Sequence, residues 1–195
     1  SPVYKFLPTL SVSVGDSPCS TTQTFEWRVK RSTDKRIGIK TGAITDIKNV
    51  DVWVNSENTE MEMARPYDRS ISSVIRFHGA KRDRGHRIVR DLIQDSLRKA
   101  LGTMASVPAA TVVVTDPGEL KARGVKKLFH VASVQGEPGL GYRPINALHS
   151  CVTNCLEMLH DVNTKRRGKN PDLASVLFPI FGTGTGRKPV AHVIA

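Results

Sequence analysis

Cysteine is scarce in this chain: three in 195 residues, Cys19, Cys151 and Cys155. An odd, small number excludes a fully paired disulfide scaffold, and neither His nor further Cys stands near Cys151 and Cys155 at zinc spacing. These two are four apart in an apolar helical pattern, so both are expected on one buried helix face as small hydrophobes, in a reducing compartment. Aromatic residues are only 6% and are not interleaved with the basic ones, which argues against a base-stacking strip. No apolar run approaches the roughly 18 residues of a membrane span. A secretory leader pattern is missing, and the first residue is Ser1 rather than Met. We therefore expect a piece of a longer, cytoplasmic protein with no membrane segment of its own.

Acid is also in short supply. Eighteen Asp and Glu face 29 Lys and Arg, leaving +11. Apolar residues at 39% and charged residues at 24% mark a globular domain rather than a disordered tail. More than half of the excess charge falls between Arg65 and Lys99, where ten Lys or Arg accompany four Asp. Such a run is either a patch for phosphate or nucleic acid, or a solvated helix face.

Strand-like and helix-like segments alternate. VYKFL and LSVSV in the first 36 residues read as short strands, and TFEWRVK (24–30) alternates as a half-buried strand should. RIGIKTG (36–42) reads as a strand ending at glycine, and VDVWVN (50–55) as a buried parallel strand. Helical spacing runs over 70–78 and over 86–101, the latter with a stripe of Ile88, Leu92, Ile93, Leu97 and Leu101 and a stop at Gly102. ATVVVTDPG (110–118) and VKKLFHVASV (125–134) are strands, GEPGLGYRP is a Gly/Pro loop, and a helix covers about 145–160. LASVLFPIF (173–181) is an apolar strand running into GTGTGRKP. This alternation predicts an α/β fold, a largely parallel sheet covered on both faces.

In such sheets ligands sit at the carboxyl ends of the strands. Two loops qualify. Gly182, Gly184 and Gly186 allow close backbone approach, Thr183 and Thr185 add hydroxyls, and Arg187 and Lys188 stand beside them with fixed charge. The pattern suits a phosphate or diphosphate but is not a Walker A loop, since Lys-Ser/Thr does not follow the last glycine. Taken alone, a tight turn would need the same glycines. The other loop follows VDVWVN and contains Asn55 and Asn58, amides able to read a sugar hydroxyl or to cap the loop backbone. His78, His86, His130 and His149 lack metal-site spacing, and Met61 and Met63 are expected to pack.

Seven segments in order resemble the macro domain, the ADP-ribose-binding module: GAIT (42–45), VDVWVNSEN (50–58), SISSVIRFHGA (70–80), TVVVTDPGEL (111–120), VKKLFHVASV (125–134), LHSCVTNCLEM (148–158) and SVLFPIFGTGTGRKP (175–189). The resemblance implies a three-layer α/β/α sandwich with a mixed, largely parallel sheet over 37–195, with residues 1–36 as an extension, and it implies Ala43 and Ile44 beside an adenine and Asn58 near the distal ribose. It implies Ser70, Ile71 and Ser72 on one side of a diphosphate and the loop Gly182 to Arg187 wrapping the other, with Arg69 and Phe181 also at the ligand. Ala43 stands where the family has its adenine-reading Asp, with Asp46 close by. The family's glycine run is replaced here by 63–69, so that Arg65, Tyr67 and Arg69 would read a further ligand group. Ser72 stands where hydrolytic members have an Asp, and a serine alone is a poor base at neutral pH. The expectation is a non-catalytic module without cofactor or metal. It would sense ADP-ribose or another NAD-derived nucleotide signal, of the kind bacterial antiviral defence uses, for other domains of the full protein. The alternatives are an ADP-ribosyl hydrolase, and a nucleic-acid or poly-ADP-ribose binder using the basic segment.

Overall fold

The computed structural model describes residues 23–29, 34–68, 70–137, 141–166 and 172–183. The strands expected in VYKFL and LSVSV, and Cys19, lie outside them. The chain divides into two compact units, Ser1–Ala43 and Ile44–Ala195.

In the first unit, β1 (Thr24–Arg28) and β2 (Arg36–Lys40) form an antiparallel hairpin with Phe25 opposite Ile39 and Trp27 opposite Ile37. Alternation in TFEWRVK predicts one buried face, yet all five residues of each strand are exposed. A two-stranded ribbon has no second layer of its own to bury that face.

The second unit is built on a five-stranded mixed sheet in the order β6-β7-β3-β9, with β8 also paired to β7. Its members are β3 (Val52–Asn58), β6 (Val112–Thr115), β7 (Lys127–Glu137), β8 (Gly141–Pro144) and β9 (Val176–Leu177). β3 is parallel to both β7 and β9, while β6 and β8 run antiparallel to β7. A second hairpin, β4 (Lys81–Arg82) with β5 (Ile88–Arg90), joins α1 (Ile71–Gly79) to α2 (Leu92–Leu101). α3 (Leu148–Arg166) follows β8.

Strand periodicity sorts the core into two halves. On one face Trp53 and Leu128 pack with Ile75 of α1 and Ile93, Leu97 and Leu101 of α2. On the other, Val52, Val54, Phe129 and Val131 pack with Cys151 and Cys155 of α3, together with Leu173 and Phe181. Helices thus cover both faces of the sheet, giving the three-layer α/β/α sandwich. Cys151 and Cys155 are fully buried small hydrophobes, and burial pushes their thiols up to about 11 and about 12. One glycine is demanded by packing: Gly118, at φ +55°, lies so close to the Gly79 carbonyl oxygen that a Cβ would collide with it.

Three segment expectations change. The helical pattern over 86–101 begins only at Leu92, because Asp91 accepts from the Gln94 amide as N-cap and Ile88–Arg90 pair with β4 instead. GEPGLGYRP contains β8, whose strand hydrogen bonds to β7 extend the sheet through a region rich in turn residues. LASVLFPIF contributes only Val176–Leu177 to the ladder, and Pro179, which lacks an N–H, lies just beyond.

Candidate functional site

β3 and β9 are parallel neighbours, so the loops after both leave the same edge of the sheet. This juxtaposes the two segments singled out from sequence.

The loop after β3 is tightly held. A bulge displaces the register between Glu57 and Asn58, and the chain then turns with Met61 at φ +53°. The Asn58 side chain closes a ring with Glu62: its Nδ2 donates to the Glu62 carbonyl (3.0 Å), and its Oδ1 accepts from the Glu62 N–H (3.0 Å). Asn58 Nδ2 also lies 3.5 Å from the Tyr142 hydroxyl. Met61 and Met63 are buried in the α1/α2-side core, and the Met63 N–H donates to Gln94 Oε1 (3.1 Å). Arg76 of α1 reaches back with Nη1 to the carbonyls of Met63 (3.1 Å) and Ala64 (2.9 Å), while its Nε pairs with Asp91 at 2.6 Å. Bulky residues therefore fasten the loop where the sequence resemblance has a flexible glycine run.

Ser70 caps α1, accepting from the Ser73 N–H (3.1 Å) while its own N–H donates to Ser73 Oγ (3.2 Å). This capping box orients the amino end of α1, with its unpaired N–H groups, where the β3 loop ends. Ile71 is 36% exposed there, whereas Ser72 is buried. Ser72 Oγ accepts from the Ala64 N–H (3.1 Å) and donates to Glu57 Oε1 at 2.6 Å. The serine thus links the loop, α1 and β3.

Glu57 is the residue that sequence reasoning missed. Trp53, Asn55 and Glu57 alternate onto the α1/α2 face of β3, so an acid in this buried run had to lie in the core. Its carboxyl is 3% exposed, and Asn55 Nδ2 donates to Oε1 at 2.5 Å. Burial raises its pKa from 4.5 to about 8, against the hydrogen bonds of Ser72 and Asn55 and the Arg76 charge, which pull it down. Burial therefore favours the protonated form of Glu57. Asn55 Nδ2 also lies 3.2 Å from His130 Nδ1, and His130 Nε2 lies 2.9 Å from Thr115 Oγ1. With Nδ1 accepting from the amide, Nε2–H donates to the threonine. Full burial lowers His130 from 6.5 to about 3, so it is the neutral imidazole this pattern requires. A polar chain therefore crosses one face of the sheet from β6 to the amino end of α1.

On the second loop, Phe181 is buried against the α3-side core, and Gly182 adopts φ +81°, a left-handed conformation natural to glycine. Thr183 Oγ1 donates to the Ile180 carbonyl (2.8 Å). Gly184, Thr185, Gly186, Arg187 and Arg69 lie outside the described residues. Ile44 opens a 3-10 turn (Ile44–Asp46) and packs, partly buried, against the α1/α2-side core; Ala43 belongs to the first unit. Tyr67 is 78% exposed, with its ring 6.2 Å from that of Phe77. Among the described residues no cluster of three or more His, Cys, Asp or Glu has the geometry to hold a metal ion, and no helix is long and apolar enough to cross a membrane.

Helices on both faces of a mixed sheet, with two loops leaving the carboxyl ends of neighbouring parallel strands, define an α/β domain of the kind in which ligands bind at that edge. Within this class, the Macro domain family model matches residues 54–195, and the chain belongs to the macro-domain family. No curated relative matches. The fold is similar to that of a macrodomain mutant from Oceanobacillus iheyensis solved with ADPR. The TM-score is 0.60 at 16% identity, covering 88% of this chain and 77% of that one.

Proposed function

We propose that this domain is a binding module for ADP-ribose or a nucleotide derived from it, reporting an NAD-derived signal to other parts of a larger protein. The observation that carries the reading is the placement of the β3 and β9 loops at one edge of the sheet. A nucleotide diphosphate would lie between the amino end of α1 and the turn that begins at Gly182. Backbone N–H groups would be its principal donors, and Gly184 to Arg187 would complete the second wall. Asn58, through its ring with Glu62, holds the first wall in shape. Family membership supports the ligand class, and the ADPR named with the Oceanobacillus protein agrees with it.

Binding without turnover is favoured by the state of the carboxyl beneath Ser72. Glu57 is the acid bonded to that serine; it is 3% exposed, and its Oε1 is taken up by Ser72 and Asn55, which leaves it turned into the core rather than toward a ligand. The test is thermal unfolding with ADP-ribose, its cyclic and amino-acid-conjugated forms, NAD and AMP. A ligand at about 100 times its Kd stabilises by about 2.7 kcal/mol. A shift with an ADP-ribose derivative, without release of ADP-ribose from a conjugate, is expected. No shift with any of them would refute the assignment.

A further inference from the structure

The basic segment 65–99 carries a strongly cationic surface around the β4–β5 hairpin. Its acids are largely spent on the chain itself. Asp68 Oδ2 accepts from the Arg65 N–H (3.0 Å), and Asp91 caps α2 and pairs with Arg76. Asp83 closes the β4–β5 turn, with Oδ1 accepting from the N–H groups of Gly85 and Arg87 and Oδ2 from Arg87 Nε (3.0 Å). The cations point outward. The side chains of Lys81 and Arg84 are exposed and make no hydrogen bond or ion pair among the described residues, while that of Arg90 has only a 3.8 Å approach to the exposed Asp95. Lys81 and Arg90 stand directly opposite each other across the hairpin, a like-charge pair that costs stability unless something anionic lies over it.

The fold adds what the sequence did not display. Phe77 of α1 carries the Arg82 guanidinium 4.5 Å above its ring centroid and Tyr67 at 6.2 Å, tilted 54°. An aromatic pair with a stacked arginine thus adjoins the cationic hairpin, and Tyr67 remains 78% exposed. Cations for phosphates next to an open aromatic face are the two elements by which a single strand is held without sequence reading. A duplex offers no open base face to Tyr67, and a peptide of Asp and Glu offers no aromatic face to stack on it.

We propose that Tyr67, the Phe77–Arg82 pair and the cations Lys81, Arg84 and Arg90 bind a single-stranded nucleic acid. The proposal does not rest on the ADP-ribose reading. It is tested by fluorescence anisotropy of the chain with an unstructured RNA strand, the matching DNA strand, a duplex and an acidic peptide over a salt series. Expected is binding of one or both single strands that weakens steeply with salt. The combined Lys81→Glu and Arg84→Glu changes should weaken it about tenfold or more, and Tyr67→Ala about fivefold or more on single strands alone. For the Lys81→Glu and Arg84→Glu chain, thermal shifts with ADP-ribose should stay as in the unaltered chain, and circular dichroism checks that both variants fold. The proposal is overturned if neither strand binds at low salt or if charge reversal leaves binding intact. It also fails if duplex binds as tightly with Tyr67→Ala silent, or if the acidic peptide outcompetes the strands.

Discussion

The two faces of the central sheet are built on different terms. The face under α3 is apolar, with Val52, Val54, Phe129 and Val131 packed on Cys151 and Cys155. The face under α1 and α2 carries comparable apolar bulk in Trp53, Ile75, Ile93 and Leu97, but threads through it Thr115, His130, Asn55, Glu57 and Ser72. That chain is held at a cost, since Asn55 Oδ1 is buried and has no partner among the described residues. The polar face is also the one that ends at the proposed ligand edge. The lesson is that the α3 side supplies stability, while the α1/α2 side spends some of it to fix the amino end of α1 and the loop after β3 in one geometry.

The contrast can be broken by mutation and by pH. The largest expected effect is on the apolar face: Phe129→Ala should destabilise by about 3–5 kcal/mol in urea unfolding, with the pH profile unchanged in shape. Next comes the clamp. Arg76→Ala removes the bonds to two loop carbonyls and leaves Asp91 unpaired, which should cost about 2–3 kcal/mol. It should also weaken ADP-ribose binding, read by calorimetry.

The polar face should impose its own pH dependence. Glu57 has a folded pKa of about 8 above its ordinary 4.5, so its contribution is full below 4.5 and is lost as pH rises through 8. His130 has a folded pKa of about 3 below its ordinary 6.5, so the folded state loses ground as pH falls from 6.5 toward 3. Between 4.5 and 6.5 the two slopes oppose each other. Above 6.5 the glutamate acts alone, at about 1 kcal/mol per pH unit. Glu57→Gln should remove that alkaline slope, and unfolding measured from pH 6.5 to 8 checks it. The α3 face contributes no such slope in this window, because its thiols, raised above 9, begin to cost stability only at higher pH. The smallest effect is expected at Asn58→Ala, about 1 kcal/mol from the lost ring with Glu62. The loss of ADP-ribose affinity should be larger than that figure implies, because the loop loses its shape.

How much of this was legible beforehand divides along the same line. The apolar face could be read from composition: Val52 and Val54 in a β-branched run, and Cys151 and Cys155 one helical turn apart, each declare a buried position. The order of elements was legible for the same reason. The polar face was not. Glu57 and His130 look like ordinary surface residues until strand alternation sets them beside Trp53 and Leu128, and the partners that make their burial tolerable come from β6 and α1, distant in sequence. Helix periodicity misled at Ile88, whose spacing fits the α2 stripe although Asp91 starts the helix after it. The Tyr67–Phe77–Arg82 stack was hidden likewise, because a turn and a helix intervene between residues that end up stacked.

The most direct test of the central claim, that the edge shared by the β3 and β9 loops is a nucleotide-diphosphate site, is calorimetric titration of ADP-ribose into the unaltered chain and into Gly182→Val. Valine is strained at φ +81° and disturbs the turn that opens the second wall. The account predicts saturable one-to-one heat in the unaltered chain and at least about tenfold weaker binding in the variant, with the circular dichroism of the two alike. No heat in the unaltered chain, or equal affinity in both, would contradict it.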